Sequence, residues 1–503
     1  MKTVCLLICV ILACSEAAKI LVVFPIPSRS HGNLGDGYVR HLLKAGHEVT
    51  YITPFKYKNA PANLRTIDVS NNFDIMNLVL IRIESPIRFI FSIARNTAEN
   101  KEVQTLLNDP KEQFDVVVIE WIFSDVIAGF ASMFQSPLIW ASSVDPHWQI
   151  VQLIDEPLNP AYSVDAMSPY YPPLSFSQRV KELWNQLKLL AEMGQLINSN
   201  IKNKSIFTPI AAKRGIKLPT YDESRYNASL ILSNAYVTTS GGASLPQSHK
   251  FIGGYHIDDT VTPLPENLKK LMDSAKDGVI YFSMGSNLRS KDLPDEIKVN
   301  LLKMFGSLKQ TVLWKFEEVL PNLPKNVHIL EWAPQQAILA HPNLAVFITH
   351  GGLLSTTESI HFGVPIIGIP VFGDQFMNVE KSVNKGFAQR VDLAYTMPDE
   401  LKKNIVELLV NVTKELSFIH HDRPVKPGQE LVHWVNHVVN TRGAPHLRSP
   451  AVDLPFYKRK FLDLAALIAV LLLTVYVLLK RAYAFIYSRV CSKKRKTGSK
   501  KNN

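Results

Sequence analysis

Between Ser15 and Val490 the chain contains no cysteine; its four cysteines stand at 5, 9, 14 and 491. That gap excludes disulfides, thiol nucleophiles and zinc–thiolate centres from almost the whole chain. Acidic residues are missing from one end. Residues 480–503 carry nine Lys or Arg and no Asp or Glu, and removing those nine from the net charge of +11 leaves +2. The basic balance therefore belongs to a tail, and the body lacks the positive footprint of a nucleic-acid-binding protein. Long uncharged hydrophobic runs are scarce too, with one near each end.

The first of these runs follows Lys2, spans 4–13 and ends in Ser15-Glu16-Ala17. A charged start, an apolar centre and a small-residue exit describe a signal peptide over 1–17. The second, 464–479, has sixteen uncharged residues, extends to about nineteen from Phe461, and predicts a transmembrane helix over 462–479. The cations after it place the tail at 480–503 in the cytosol, outweighing Lys458, Arg459 and Lys460 before it. Lys500-Lys501-Asn502-Asn503 is similar to a dilysine retrieval signal of the endoplasmic reticulum. Sequons at Asn203, Asn227 and Asn411 fit a secretory lumen.

The 503 residues predict two domains plus small extras. The first domain, 18–245, opens with an apolar strand over 19–24, a loop from Pro25 to His31, a helix over 33–45 stopped by Gly46, and a strand over 47–53. Strand, helix and strand so close together predict a right-handed parallel unit. Ligands then sit beyond the carboxyl ends of the strands, where His31 lies. A third strand over 114–119 runs into Glu120, with Asp125 close behind. An imidazole base works best with a carboxylate to orient it, and Glu120 and Asp125 are both candidates for that partner. Further strands are predicted over 137–143, 230–234 and 251–253. Apolar residues at 180, 183, 184, 187 and 191 predict an amphipathic helix packed on the domain, or alternatively a lip leaning on a membrane.

A linker rich in Asp, Thr and Pro covers 246–267, and the second domain, 268–457, finishes with a closing helix over 426–441. Its predicted strands are 278–283, 327–331, 344–348 and 365–370. The most informative stretch is Phe347 to Gln375, Phe-Ile-Thr-His-Gly-Gly-Leu-Leu-Ser-Thr-Thr-Glu-Ser-Ile-His-Phe-Gly-Val-Pro-Ile-Ile-Gly-Ile-Pro-Val-Phe-Gly-Asp-Gln. A strand, a Gly-Gly turn and a helix N-terminus make a phosphate site, to which His350 adds a donor and Ser355 and Thr356 add hydroxyls. Glu358 can accept from ribose hydroxyls, and Asp374 with Gln375 can serve several sugar hydroxyls. Ser355-Thr-Thr-Glu358 also fits a helix capping box.

The whole pattern resembles the signature of the UDP-glycosyltransferases that act on small lipophilic acceptors. The resemblance implies a GT-B fold: two doubly wound Rossmann-like α/β domains facing a cleft, plus one C-terminal transmembrane helix. It implies that Gly352, His350, Ser355 and Thr356 hold the diphosphate, that Glu358 holds ribose, and that Asp374 and Gln375 hold the sugar. It further implies Trp332 as uracil platform, Gln335 beside the ribose and Ser286 near the phosphates. His31 becomes the base, with Glu120 where other branches carry an Asp. Leu354 stands where plant and mammalian members usually have Asn, as in the invertebrate branch. The expected protein is a lumenal, single-pass type I enzyme of the endoplasmic reticulum membrane. It transfers a hexose, glucose favoured and glucuronic acid second, from a UDP-sugar co-substrate to a small lipophilic hydroxyl compound with inversion. The sequence shows no Asp-x-Asp of the kind that holds a metal on a nucleotide sugar, so no metal and no cofactor are expected. A homo-oligomer is left open. The alternative is a donor-binding membrane protein without turnover, acting as a partner subunit; His31 and its carboxylate favour the enzyme.

Overall fold

The structure is a computed structural model that describes residues 17–81, 86–159, 161–202, 206–286, 288, 290–410 and 415–498. The expectations for residues 1–16, the sequons at Asn203 and Asn411, and Lys500-Lys501 lie outside the described residues. Asn227 is exposed.

Residues 17–449 form one compact unit built on two all-parallel sheets. The first has seven strands, β1 (Lys19–Val23), β2 (Glu48–Thr53), β3 (Leu64–Asp68), β4 (Val116–Trp121), β5 (Leu138–Ser142), β6 (Ala228–Ser233) and β7 (His249–Phe251), in the order β3-β2-β1-β4-β5-β6-β7. The second has six, β8 (Val279–Ser283), β9 (Thr311–Lys315), β10 (Val327–Leu330), β11 (Leu344–Thr349), β12 (Ile366–Gly368) and β13 (Ala388–Arg390), in the order β10-β9-β8-β11-β12-β13. Helices that matter below are α1 (Arg29–Lys44), α2 (Phe176–Lys202), α3 (Leu353–Phe362), α4 (Gln375–Asn384), α5 (Pro427–Asn440) and α6 (Leu462–Gly498).

Both orders reverse direction once, between β1 and β4 and between β8 and β11. The connections leave the sheet in opposite directions at those points, so a crevice opens past the carboxyl ends of the strands. β1 pairs with β2 on one side and β4 on the other, while β11 lies between β8 and β12. The strands are buried on both faces, as apolar runs without alternation require.

Three strands escape the sequence reading: β3, β9 and β13 are short and mix polar with apolar residues. Two helices depart from it. α1 begins at Arg29, so His31 stands in its first turn rather than in a loop. The closing helix α5, grouped by chain order with the second domain, packs on the first sheet. Its Leu431, Val435 and Val438 join Ile20, Val22, Val116 and Leu230 in one core. A Cβ at Gly428 would stand 2.1 Å from the His41 ring, so glycine is what lets α5 approach α1. The chain thus crosses from the second sheet back to the first before it leaves the unit.

Residues 450–503 form a second unit, dominated by α6. Its Leu462–Arg489 portion is long and apolar enough to cross a membrane, and the helix runs on past Leu479 into the basic tail.

Leu431 is fully buried, so Leu431→Ala is expected to cost about 2–5 kcal/mol. Urea unfolding followed by hydrogen exchange checks this: faster exchange is expected in β1 and β4, with β8 and β11 little changed.

Candidate active site

The first half of the site forms at the β1/β4 crevice. β1 leads through a short turn to α1, which carries His31 on its inner side, and β4 carries Glu120 near its end. The His31 Nδ1 meets Glu120 Oε1 in a hydrogen-bonded ion pair. Ser143, just after β5, donates its hydroxyl to the same carboxylate oxygen at 2.5 Å. Glu120 Oε2 is buried and has no hydrogen-bond partner among the described residues. Burial pulls the His31 imidazole down, but the Glu120 charge, its hydrogen bond and the more distant Asp374 together hold it above its ordinary value of 6.5. Asp125, the other candidate, is engaged elsewhere, accepting from Tyr221 and lying 3.4 Å from Arg225 Nε. Beside Glu120 opens a small cavity with an apolar wall of Ile26, Ile90, Ile93, Ala94 and Ile122. Phe123, with φ of 53°, turns the chain sharply after β4.

The second half forms at the β8/β11 crevice. Gly352 precedes α3 in extended conformation, so the first-turn amides of α3 remain without intrahelical partners. Because α3 starts at Leu353, Ser355 lies inside the helix and the capping box of Ser355 with Glu358 does not form. His350 is held between two glycines: a Cβ at Gly285 would stand 2.5 Å, and at Gly352 2.6 Å, from its ring. Burial and the Lys315 cation push its pKa down to about 4, so it is neutral at ordinary pH.

Glu358 is buried among amides and an imidazole. Gln335 Nε2 donates to it at 2.6 Å, Gln336 Nε2 at 3.3 Å, and His256 Nε2 lies 3.5 Å away. Gln335 also donates to Ser355 Oγ at 3.1 Å. Thr356 Oγ1 donates back to Gly352 O within its own helix at 3.1 Å. Trp332 is 64% exposed beside β10, with Lys315 Nζ 5.9 Å from its ring centre, and Ser286 is exposed at the end of β8. Asp374 stands just before α4 without a side-chain cap bond and accepts from Asn378 Nδ2 at 2.8 Å, while the same amide reaches Gly351 O at 3.1 Å. Gln375 Oε1 accepts from the amides of Val371 and Phe372 at 2.8 and 3.1 Å. Burial raises Asp374, with Asn378 opposing and Asp145 adding to the rise.

The two halves face each other. His31 and Asp374 come from different sheets yet sense each other's charge. Asp145 Oδ2 binds Lys381 Nζ across the junction at 2.6 Å, and Leu354 packs against the core of the first sheet. Sequence reasoning missed Ser143, His256, Gln336 and Asn378. None stands in a motif, and each is recruited by proximity alone. Among the described residues, no three His, Cys, Asp or Glu side chains converge as a metal site.

Comparison with known proteins decides the family. The profile described as UDP-glucoronosyl and UDP-glucosyl transferase matches residues 38–497. The chain belongs to that family. It is a glycosyltransferase with a GT-B fold. It is 32% identical to UDP-glycosyltransferase UGT5 of Dactylopius coccus over 92% of this chain and 90% of that one. UDP-glucosyltransferase 2 of the same insect is 31% identical over 96% and 94%. Among solved structures, the calicheamicin glycosyltransferase CalG4 superposes with a TM-score of 0.58 at 15% identity, covering 85% of this chain and 99% of that one.

The ion pair of this glycosyltransferase is measurable. By imidazole NMR, His31 is expected to titrate above 6.5, and in Glu120→Gln to titrate lower. The sign for stability follows: a raised histidine contributes stability that is complete below about 6.5 and is lost as pH rises through the folded value.

Proposed function

We propose that this member of the family transfers glucose from UDP-glucose to a hydroxyl of a small lipophilic acceptor, with inversion at the anomeric carbon and without a metal. The observation that carries the mechanism is the contact of His31 Nδ1 with Glu120. A carboxylate on Nδ1 fixes the proton there and leaves the Nε2 lone pair as the base. Nε2 takes the acceptor's hydroxyl proton as that oxygen bonds to the anomeric carbon. The bond from that carbon to the diphosphate oxygen breaks on the opposite face, and UDP leaves as an anion.

The leaving charge meets the bare amides at the start of α3 and a neutral His350, which can donate without competing for a proton. Ser286, Gly352, Ser355 and Thr356 border that position. Glu358 accepts from the ribose, with Gln335 beside it, and Trp332 offers a stacking face for uracil, worth roughly 1–3 kcal/mol. Asp374 and Gln375 bind the hexose next to His31. The apolar wall of Ile26, Ile90, Ile93, Ala94 and Ile122 beside Glu120 gives the acceptor's ring or chain an apolar side to lie against.

Glucose is the favoured donor because the Leu354 form of the signature resembles the invertebrate branch, and the relative UDP-glucosyltransferase 2 supports that choice. Glucuronic acid is the second choice. The signal segment, α6 and the basic tail support a single-pass type I protein of the endoplasmic reticulum membrane with its catalytic domains in the lumen.

His31→Ala is expected to lower turnover by roughly 10²–10⁴-fold, the order of a lost general base, with UDP affinity by calorimetry nearly unchanged; turnover as in the parent removes His31 from the chemistry. UDP-glucose is expected to give product with a simple phenol, scored by mass, and EDTA to leave the rate intact. The acid limb of kcat/KM reports the free base, so it is expected above pH 6.5 and lower in Glu120→Gln.

A further inference from the structure

The Glu120 carboxylate is held from two directions through a single oxygen. Oε1 meets His31 Nδ1, in the first turn of α1, and accepts from Ser143 Oγ at 2.5 Å, just past β5. Oε2 is buried and has no hydrogen-bond partner among the described residues. A glutamate side chain has several rotatable bonds, and the imidazole it meets has two of its own, so their mutual contact alone leaves both free to turn together. Tyr38, Tyr51 and Tyr255 feel the Glu120 charge and Asp374 acts on His31, yet among the described residues none of these four hydrogen-bonds to the carboxylate. Ser143 is what fixes Glu120 independently of His31. It can do so because its own turn is anchored elsewhere. β4 and β5 pair with Glu120 opposite Ala141, which leaves Ser143 beyond the end of the ladder. There the Asn234 amide donates to Ser142 O at 2.9 Å and Ser142 Oγ to Val144 O at 3.0 Å. Asp145 closes the turn, accepting from Thr239 Oγ1 at 3.2 Å and binding Lys381 Nζ from the second sheet. The Ser143 hydroxyl is therefore presented from a fixed frame, 6% exposed.

We propose that Ser143 is a positioning residue for the His31 base: its hydroxyl holds the Glu120 carboxylate in the orientation that keeps the imidazole proton on Nδ1. The inference rests on the reading of His31 as the base. A hydroxyl that donates to a carboxyl group favours the anion, because the hydrogen bond is stronger to the charged form. An anion fixed in one orientation gives Nδ1–H a permanent acceptor, and the lone pair then stands on Nε2. Without the hydroxyl the carboxylate turns about its last bond and that acceptor is no longer permanent. The two neutral tautomers of the imidazole then become comparable, and the one with its proton on Nε2 has no lone pair there to take a proton from an acceptor. The hydroxyl thus acts on turnover through the population of the competent tautomer, and it touches neither the acceptor nor the donor.

The test uses the full-length chain labelled with ¹⁵N-histidine, as the parent and as Ser143→Ala and Ser143→Thr. The His31 signals are identified by their loss in His31→Ala, and UDP binding verifies the fold of each variant. Long-range proton–nitrogen correlations, recorded above the titration of His31, read which ring nitrogen holds the proton. The parent and Ser143→Thr, which keeps a hydroxyl, are expected to show Nδ1–H alone, and Ser143→Ala to show both tautomers. With a simple phenol, kcat of Ser143→Ala is expected to fall roughly tenfold, the low end for removing a hydrogen bond to a charged group, with KM for the phenol and UDP affinity unchanged. A parental tautomer in Ser143→Ala overturns the proposal whatever the rate. So does a mixture of tautomers in folded Ser143→Thr, which makes side-chain volume rather than the hydroxyl the cause. Parental turnover in His31→Ala sinks the reading of His31 as the base instead, and the two failures are told apart because the tautomer is read without turnover.

Discussion

An imidazole can be buried only where something replaces the water it gives up. At His31 that replacement is the Glu120 carboxylate, and most of the first domain is arranged to hold the two together. Glu120 is itself buried, on a central strand with apolar neighbours on both faces, and receives Ser143 on the oxygen that faces His31. α1 must then lie close enough to β4 for the ring to reach. The burial that threatens the pair also strengthens it, because a charge–charge contact shielded from water is worth more than the same contact at the surface. The result is an imidazole that is both oriented and raised, on a carboxylate that itself borders an apolar cavity.

The donor half solves the opposite problem. In the proposed reading the incoming group carries the charge there, and the protein presents donors that are neutral or fixed. Gly285 and Gly352 confine His350 from two sides, and burial with Lys315 keeps it uncharged. The bare amides of α3 need no titration at all. Glu358 is an acidic group one turn into this helix, and two glutamines already donate to it. A buried carboxylate so supplied is held in one position in advance, which would lower the reorganisation needed if it binds a ribose as proposed.

The sequence carried the donor half well because that half is continuous. From Phe347 to Gln375 a strand, a turn, a helix and a second strand follow one another, and spacing alone places His350, Ser355, Glu358 and Asp374 around one opening. The acceptor half is discontinuous: His31 and Glu120 are 89 positions apart, and only a resemblance could pair them before the sheet order was known. The start of α1 was misread because Gly32, Gly35 and Gly37 dilute its helical pattern; they are there because Phe55, Tyr51 and Tyr255 press against the helix. β9 lies between β8 and β10, and its three apolar residues stand between Thr311 and Lys315 with no adjacent Gly or Pro to mark a strand end. α2 is a helix packed on the domain through Leu189 and Met193, but helical periodicity reports only that one face is apolar and says nothing about which face the protein keeps for itself.

Leu354 shows how a departure from a family pattern can be read physically. An Asn at that position could send an amide toward the phosphates; a Leu cannot. In this chain the side chain packs instead against the core that contains Phe24, Tyr38 and Tyr255, on the other side of the cleft. Leu354 therefore makes an apolar contact between the halves. That contact stands in line with others that join the same two surfaces. Lys381 meets Asp145, Lys385 Nζ reaches the Thr238 carbonyl at 2.6 Å, and Gln336 accepts from the Asp258 amide at 3.1 Å. Two of these depend on residues adjacent to the site, since Asp145 adds to the raised state of Asp374 and Gln336 donates to Glu358. Closure of the cleft and readiness of the donor site thus use the same side chains, and α5, returning to the first sheet, ties the ends of the arrangement together.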